Sequence, residues 1–248
     1  AAQVRAADRK ELSQLIQHGV FRKLHVNRLE KGANVVDCIW VRVWKNGEIK
    51  SRLCARGCFD RQKQLIEKHS STATRLSQRI ICSQFMVDGL VHTENPKTDP
   101  IELVSLDISG AFLQGLDYEE LMRISRELGY ESRFQRNVFV QPPENVWQHF
   151  RALTTPGHDL YVLDKDRAWY ILESLRAMYG FADAPLMFQL CLISYLMKHA
   201  KAVKSIFDDN YLMIFAVFDN EWVLIIVLTI HVDDLLLMGS RSNINWIQ

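Results

Sequence analysis

Two adjacent carboxylates lie between two apolar runs near the end of the 248-residue sequence. The first run, Trp222 to Ile230, spans nine residues and is typical of a central strand buried on both faces. It continues into His231-Val-Asp-Asp234 and then into the apolar run Leu235–Met238. Burying an unpaired charge is costly, so carboxylates placed here usually have a cation, although Asp is also common in ordinary turns. The pattern restricts this segment to a β-hairpin with acidic residues at its turn.

A third carboxylate ends another predicted strand. Residues 101–108 alternate so that Val104, Leu106 and Ile108 share one face, which leaves Asp107 on the other. Alone, Asp107 is as well explained by a solvated strand end. Together with the hairpin it supplies two or three carboxylates on separate strands, the arrangement that holds Mg²⁺ for phosphoryl chemistry.

Composition and charge narrow the class of protein. The chain is 48% apolar and 24% charged, which suits a folded domain with a sizeable core. Residues 1–82 carry 17 Lys and Arg against 7 Asp and Glu, whereas residues 83–248 carry 13 against 22. This asymmetry predicts one lobe that meets an anion and another that gathers carboxylates, unless it is a coincidence of surface charge. No apolar run reaches the roughly 18–20 residues of a membrane helix.

The remaining pattern mixes helices with strands. A hairpin is predicted from Cys38 to Cys54 because Asn46-Gly47 separates two β-rich runs, and it carries the basic residues Lys50 and Arg52. Helices are predicted at 4–18, 75–88 and 184–199, strands at 101–108, 211–218 and 222–230, and a loop at 92–100. Residues 117–166 give no clear pattern.

Four ordered motifs carry a resemblance to a known family. Leu106-Asp-Ile-Ser-Gly-Ala-Phe-Leu-Gln-Gly115 resembles the LDVKTAFLNG motif of copia-type retrotransposon reverse transcriptases, and His231-Val-Asp-Asp-Leu-Leu-Leu-Met-Gly239 resembles their YVDDLLITG. Lys50-Ser-Arg-Leu-Cys-Ala-Arg-Gly57 is similar to KARLVARG, and Leu175-Arg-Ala-Met-Tyr-Gly-Phe-Ala-Asp-Ala-Pro185 to LKKSLYGLKQAP. Gln141-Pro-Pro resembles the start of the QPEGF segment. The motifs follow the family's order and span nearly the whole chain.

The resemblance implies the fingers and palm of a right-handed polymerase. Residues 1–100 would form the fingers and residues 101–248 the palm, an antiparallel sheet backed by helices. The implied fold class is α+β. Only 14 residues follow Asp234, so the thumb and ribonuclease H are expected to be absent and the chain to be a piece of a longer Pol polyprotein. The implied activity is RNA-directed DNA polymerisation.

The resemblance also assigns the site. Asp107 and Asp233 would be the principal metal ligands and catalytic residues, with Asp234 nearby, for two Mg²⁺ or Mn²⁺ ions. Nucleotide-binding residues would be Lys50, Arg52 and Arg56, which neutralise the triphosphate. Phe112 matches the aromatic residue that excludes a 2′-hydroxyl, although it is equally a candidate for the core.

Two residues depart from the family motifs. His231 occupies the position of Tyr or Phe, and Asp183 occupies that of Gln in the segment implied to approach the nucleotide. A carboxylate there would repel a triphosphate unless a cation compensates, and Arg176 is the nearest candidate in the sequence.

The implied partners are an RNA or DNA template with its primer, deoxynucleoside triphosphates, and further polyprotein domains (thumb, ribonuclease H and integrase). No membrane is implied, and an intracellular location follows, in a cytoplasmic particle or the nucleus. The alternatives are a decayed, inactive domain that still binds nucleic acid, and an unrelated two-metal nuclease, which the ordered motifs disfavour.

Overall fold

The chain forms two compact units, each built from two stretches of sequence. The computed structural model describes residues 2–66, 68–94, 99–127 and 136–247, except for the side chains of residues 89–94 and 125. Unit 1 comprises Ala1–His69 and Phe112–Cys191, and unit 2 comprises Ser70–Ala111 and Leu192–Gln248. The chain is thus interleaved between the units. The physical reason is that strands distant in sequence pair within each sheet. The division into fingers and palm that the resemblance implies stays a prediction.

The helices and strands occur in mixed order. In chain order they are α1 (Ala2–Gln17), β1 (Phe21–His25), β2 (Val35–Lys45), β3 (Glu48–Ala55), α2 (Arg75–Glu94), β4 (Ile101–Asp107), α3 (Tyr118–Glu127), β5 (Phe139–Gln141), α4 (Glu144–Leu153), β6 (Tyr170–Ser174), α5 (Ala184–His199), β7 (Val203–Lys204), β8 (Tyr211–Phe218), β9 (Glu221–His231), β10 (Asp234–Ser240) and α6 (Arg241–Ile247). With antiparallel pairing predominant, the predicted α+β class is confirmed. No described helix has an apolar stretch long enough to cross a bilayer.

Unit 1 has a five-stranded sheet in the order β1-β6-β5-β2-β3. Only β2 and β5 pair in parallel, and the other neighbours are antiparallel. Leu12 and Leu15 of α1 are fully buried. In α4, Phe150 is also fully buried and Trp147 is only 2% exposed. The spacing of three residues places each pair on one helical face. Burial of each side chain contributes about 1.5–3 kcal/mol and fixes both helices on the unit 1 core.

Unit 2 has an antiparallel sheet in the order β4-β10-β9-β8-β7. One face carries Val104 and Leu106, which pack in a cluster with Leu235 and residues of α5 and α6. The opposite face carries Leu103, which packs in a cluster with Ile81 of α2. The alternation predicted for β4 is therefore confirmed. Helix α2 covers only part of the sheet face that carries Leu103. The end of this face near Asp107 is therefore accessible.

The sequence predicts the hairpins and the long helices best. Asn46 and Gly47 both have positive φ, 52° and 79°, as a type I′ turn requires. The predicted helix at 184–199 has the bounds of α5, whereas α2 continues past Asp88 to Glu94. Of the loop expected at 92–100, residues 95–98 lie outside the described part of the chain. The short β5 and β6, together with α3 and α4, emerge in or just after the segment without a clear pattern.

Candidate functional site

Three polar residues form a row across the open end of the unit 2 sheet. The strand register places Asp107 of β4 directly opposite Asp234 of β10, and Asp234 directly opposite His231 of β9. Residues that face each other across antiparallel strands project from the same face of the sheet. His231, Asp234 and Asp107 therefore line one edge in that order.

The backbone hydrogen bonds between β4 and β10 show how closely Asp107 and Asp234 approach each other. The Ile108 N–H donates to the carbonyl of Asp233 at 3.0 Å, which makes that pair a hydrogen-bonded one. Because the two kinds of pair alternate along an antiparallel ladder, Asp107 and Asp234 form a non-hydrogen-bonded pair. In such pairs the Cα atoms are about 4.5 Å apart and the side chains approach most closely. The register thus sets Asp234 opposite Asp107, whereas the resemblance implied Asp233 as the principal partner of Asp107. Asp233 lies at the adjacent turn position, opposite Ile108.

These carboxylates have no protein partner in the described part of the chain. Asp107 and Asp234 are exposed and Asp233 is half-buried, and no described residue forms a hydrogen bond or ion pair with any of the three side chains. Like charges directly opposite each other on adjacent strands are destabilising. A pair of this kind would be relieved by a cation.

A cavity of about 250 Å³ opens beside this row. Its lining includes His231 and Asp234 of the row, the polar residues Ser105 and Thr229 of the sheet and Gln78 of α2, and the apolar residues Leu235 and Leu236. This volume approaches the range of small-ligand pockets. The carboxylate edge therefore borders a space that a small ligand can enter.

The turn between β9 and β10 is strained. Val232 has φ +60°, whereas Asp233 does not have a positive φ, so the two-residue loop has the type II′ pattern. This pattern favours glycine at its first position, and a β-branched residue there is a genuine outlier. Strain of about 1–3 kcal/mol that persists in a structure often marks a functional site.

The donor set suits magnesium held in part by its substrate. No group of three or more His, Cys, Asp or Glu side chains within the described ranges is arranged to enclose a metal ion. Magnesium does not need such a cage, since it usually binds one or two carboxylates and completes its shell with water and substrate phosphates. The opposed pair Asp107 and Asp234, both without a competing cation, fits this mode.

Two of the three residues predicted to bind phosphate, Lys50 and Arg52, share the exposed face of the β2–β3 hairpin. Arg52 lies opposite Val41, and Lys50 lies opposite Val43. Both cations are exposed, and no described residue forms an ion pair with Lys50. Arg56 differs, because its Nη1 donates to Asp37 Oδ2 at 2.7 Å. Of the three predicted phosphate ligands, Lys50 and Arg52 are thus more available than Arg56.

An aromatic pair links Arg52 to Phe112. The Arg52 guanidinium lies 4.8 Å from the centre of the Tyr179 ring, a cation–π distance. The Tyr179 ring meets Phe112 edge-on with 5.7 Å between centres. Phe112 is half-buried against the core of unit 1, as its core role requires, and its role against a 2′-hydroxyl stays a prediction. Tyr179 is a candidate residue that the sequence reasoning did not single out, although it lies inside one of the quoted motifs.

Two motif glycines explain how Tyr179 reaches this place. Gly180 has φ +95°, and a Cβ added there would lie 2.0 Å from the carbonyl oxygen of Ala55. A Cβ added at Gly57 would lie 2.1 Å from the carbonyl oxygen of Gly180. The Ala55 N–H donates to the Tyr179 carbonyl at 2.8 Å. The end of β3 and the segment of Tyr179 therefore cross backbone to backbone, which only glycines permit.

Asp183 has a different environment from the one expected. It is fully buried, and it accepts two hydrogen bonds from Arg136, at 2.9 Å from Nε and 3.0 Å from Nη2. The compensating cation is thus Arg136 rather than Arg176, whose Nη1 donates to the Gly115 carbonyl. Burial raises the pKa of Asp183, although the attraction of Arg136 opposes this. Sequence distance hid the pairing, because 47 residues separate the two.

Comparisons with known proteins do not assign this chain to a family. No protein-family profile matches the chain, and no curated protein is similar in sequence. Among solved structures, telomerase from Candida albicans in complex with a TWJ fragment of telomeric RNA is similar over 95% of this chain, with a TM-score of 0.42 and 9% identity. Apo telomerase from Candida tropicalis, truncated from its C-terminal domain, is similar over 95% of this chain, with a TM-score of 0.35 and 6% identity. The chain spans 42% and 49% of those chains, and similarity this low does not establish its fold.

Proposed function

We propose that the chain is the fingers and palm of an RNA-directed DNA polymerase of the copia retrotransposon type. It would add deoxynucleotides to a primer 3′-hydroxyl. The ordered motifs of the sequence support the family assignment.

The opposed, unpartnered carboxylates Asp107 and Asp234 are the observation that carries the proposal. A structural role would pair them with a cation or place them apart, because like charges at this register reduce stability. Their position beside a cavity and a strained turn agrees with a site that is completed by ligand. The proposed ligand set is Asp107 and Asp234, with Asp233 contributing from the turn.

Each group then has a defined task. Magnesium, when bound, would lower the pKa of the primer hydroxyl and stabilise charge on the triphosphate. Asp107, Asp233 and Asp234 hold that cation, with Mn²⁺ as an accepted substitute. Lys50 and Arg52 bind the triphosphate, and Arg56 contributes after exchanging Asp37 for phosphate. Phe112 packs against the sugar and disfavours a 2′-hydroxyl.

The proposed partners follow from this chemistry. They are deoxynucleoside triphosphates, an RNA or DNA template with its primer, and the thumb, ribonuclease H and integrase of a Pol polyprotein. The proposed location is intracellular, in a cytoplasmic particle or the nucleus.

A second candidate is an inactive remnant that still binds nucleic acid. His231 favours it, because an imidazole stands directly opposite Asp234 where the family that the sequence resembles has an aromatic residue. Such a remnant would retain the exposed cations Lys50 and Arg52 but would transfer no nucleotide.

Single-nucleotide incorporation by the intact protein tests the proposal. The assay uses an annealed RNA template and DNA primer with one dNTP, first with Mg²⁺ and then with Mn²⁺. Metal-dependent extension that is lost in Asp107→Asn supports the polymerase. Absence of extension in a folded protein would refute it.

Salt dependence of binding separates the remnant from a protein without nucleic-acid function. Binding of template–primer through exposed cations should weaken steeply as salt rises, because bound counterions are released. The variant Lys50→Ala/Arg52→Ala should reduce both the affinity and the salt slope, and Arg123→Ala, an exposed arginine of α3, serves as its control. Binding that is insensitive to salt and to these changes would reject both candidates.

A further inference from the structure

Asp183 belongs to a buried ionic cluster that joins three separate segments of unit 1. Its two oxygens accept from Nε and Nη2 of Arg136. The remaining guanidinium nitrogen, Nη1, donates to Asp60 Oδ2 at 2.7 Å. All three side chains are fully inaccessible to solvent. The planar fork of arginine is what allows one cation to bind two carboxylates at fixed angles.

The cluster is held on both sides by further contacts. Asp60 Oδ1 accepts from Asn34 Nδ2 at 2.8 Å and from the Gln62 N–H at 2.9 Å. The guanidinium of Arg136 also lies 4.9 Å from the centre of the Phe181 ring. Burial would lower the pKa of Arg136, but the facing carboxylates raise it above its ordinary value, so the cation persists. The position of Arg136 is therefore fixed by contacts on several sides, and that of the Asp183 carboxylate is fixed through Arg136.

Asp183 ends the short segment that carries Tyr179. Successive turns close this segment, since the Phe181 N–H donates to the Met178 carbonyl and the Ala184 N–H to the Phe181 carbonyl. At its other end, Gly180 crosses the backbone of Ala55. The segment is thus clamped at Gly180 by close backbone contact and at Asp183 by Arg136. Tyr179 lies directly before Gly180, and its own carbonyl accepts from the Ala55 N–H at 2.8 Å, so its backbone is fixed beside β3.

We propose that Asp183 and Arg136 are positioning residues that fix Tyr179 between Arg52 and Phe112. The proposal rests on the proposed function in one respect, that Arg52 and Phe112 bind the incoming nucleotide. It changes the meaning of the departure from Gln at position 183. The carboxylate does not face the nucleotide, and its charge is absorbed by Arg136.

The test uses a variant that keeps the charge but removes the fork. Arg136→Lys retains a cation yet cannot bind Asp183 through two nitrogens and Asp60 through a third. Arg22→Lys is the matched control, because Arg22 also donates two bonds to a carboxylate of unit 1, that of Glu173, but on the surface. The intact protein is labelled with 3-fluorotyrosine, and the ¹⁹F resonance of Tyr179 is assigned by its loss in Tyr179→Phe.

Two readouts distinguish positioning from stabilisation alone. Arg136→Lys should shift the Tyr179 resonance in the folded protein and weaken dTTP binding, measured by calorimetry with Mg²⁺, by about tenfold, the equivalent of about 1.4 kcal/mol. Arg22→Lys should change neither. A folded Arg136→Lys protein with the Tyr179 resonance unmoved overturns the inference.

A second variant keeps the test decisive. If Arg136→Lys does not fold, Asp183→Asn replaces it, since the amide keeps one acceptor for Arg136 and the same criteria apply. If the wild-type protein binds no dTTP while the Tyr179 resonance moves in the variant, the proposed function fails and the positioning role stands. If dTTP binds and the resonance does not move, the positioning role fails and the proposed function stands.

Discussion

The two units treat their aspartates in opposite ways. In unit 1, Asp60 and Asp183 are buried and share the guanidinium of Arg136. In unit 2, Asp107 and Asp234 stand opposite each other at an accessible sheet end, and no described residue neutralises them. The first arrangement is neutralised within the protein, whereas the second is not. Residue type alone therefore does not show which carboxylates are neutralised within the fold.

Asp107→Asn should have the largest effect, because it removes one of the two opposed carboxylates of unit 2. Nucleotidyl transfer is expected to fall by about 10³-fold or more, or about 4 kcal/mol, because a ligand to the metal is lost. The free energy of unfolding without metal should instead rise by about 0.2–1 kcal/mol, since a like-charge pair is removed. Incorporation assays and urea unfolding measure the two effects.

Asp219→Asn is the control for this change. Asp219 lies in the β8–β9 turn with φ +48°, a conformation that Asn also tolerates. Its replacement should leave incorporation unchanged. A metal-free Asp107→Asn protein that is less stable than the wild type would contradict the repulsion inferred at the Asp107–Asp234 pair.

Arg136→Ala tests the other half of the comparison, in which the buried carboxylates of unit 1 depend on a shared cation. Removing the shared cation leaves two buried carboxylates unpaired, and the expected loss of stability is about 3–5 kcal/mol. Arg123→Ala removes an exposed arginine that pairs with Glu127 within α3 and should cost only about 0.3–0.5 kcal/mol. Urea unfolding of both variants measures the contrast. Equal losses would show that the buried cluster stabilises no more than a surface pair.

Glu11 of α1 is an intermediate case that sharpens the comparison. It is buried, and the Leu53 N–H donates to its Oε1 at 3.2 Å. Burial raises the pKa of Glu11 from 4.5 to about 7. Since the folded pKa exceeds the unfolded one, stability is lost as pH rises from about 4.5 through about 7. Glu11→Gln should therefore gain stability relative to the wild type as pH increases, by at most about 3 kcal/mol at pH 8.

Asp8, three residues earlier on α1, should show the opposite dependence. Burial would raise the pKa of Asp8, but the two hydrogen bonds from Arg42 lower it below its ordinary value of 3.8. Its contribution is thus present above pH 3.8 and is lost as pH falls through the folded pKa. Thermal unfolding of Asp8→Asn and Glu11→Gln at pH 3, 5 and 8 checks both signs. Parallel pH profiles would contradict these environments.

The contrast between the units also shows what the sequence could predict. Alternation in residues 101–108 and the Asn46-Gly47 turn are local signals, and both are confirmed. The antiparallel pairing of β4 with β10 brings Asp107 and Asp234 together, and acidic residues at strand ends already indicated that edge. The contact between Arg136 and Asp183 depends on tertiary packing alone. No local pattern marks Arg136, so Arg176 was favoured by proximity in sequence.

Short elements set the other limit on prediction. Strand β5 has only three residues, and the burial of β1 does not alternate. Periodicity needs several residues to be visible, so such strands are defined by their neighbours. The interleaving of the two units has the same cause, because it depends on which distant strands pair. The sequence did not single out Tyr179, because its contacts with Arg52 and Phe112 depend on a tertiary backbone crossing and not on a local sequence pattern.

Val232→Gly should have the smallest effect and sharpen the unit 2 side. Glycine adopts the positive φ of this turn without strain, whereas valine does so at a cost. The gain is partly offset by the greater freedom of glycine in the unfolded chain, so stability should rise by less than about 1 kcal/mol. The same change at Val217, an ordinary position of β8, should lower stability. Urea unfolding of both variants compares them, and a Val232→Gly protein that loses as much stability as Val217→Gly would show that the turn is unstrained.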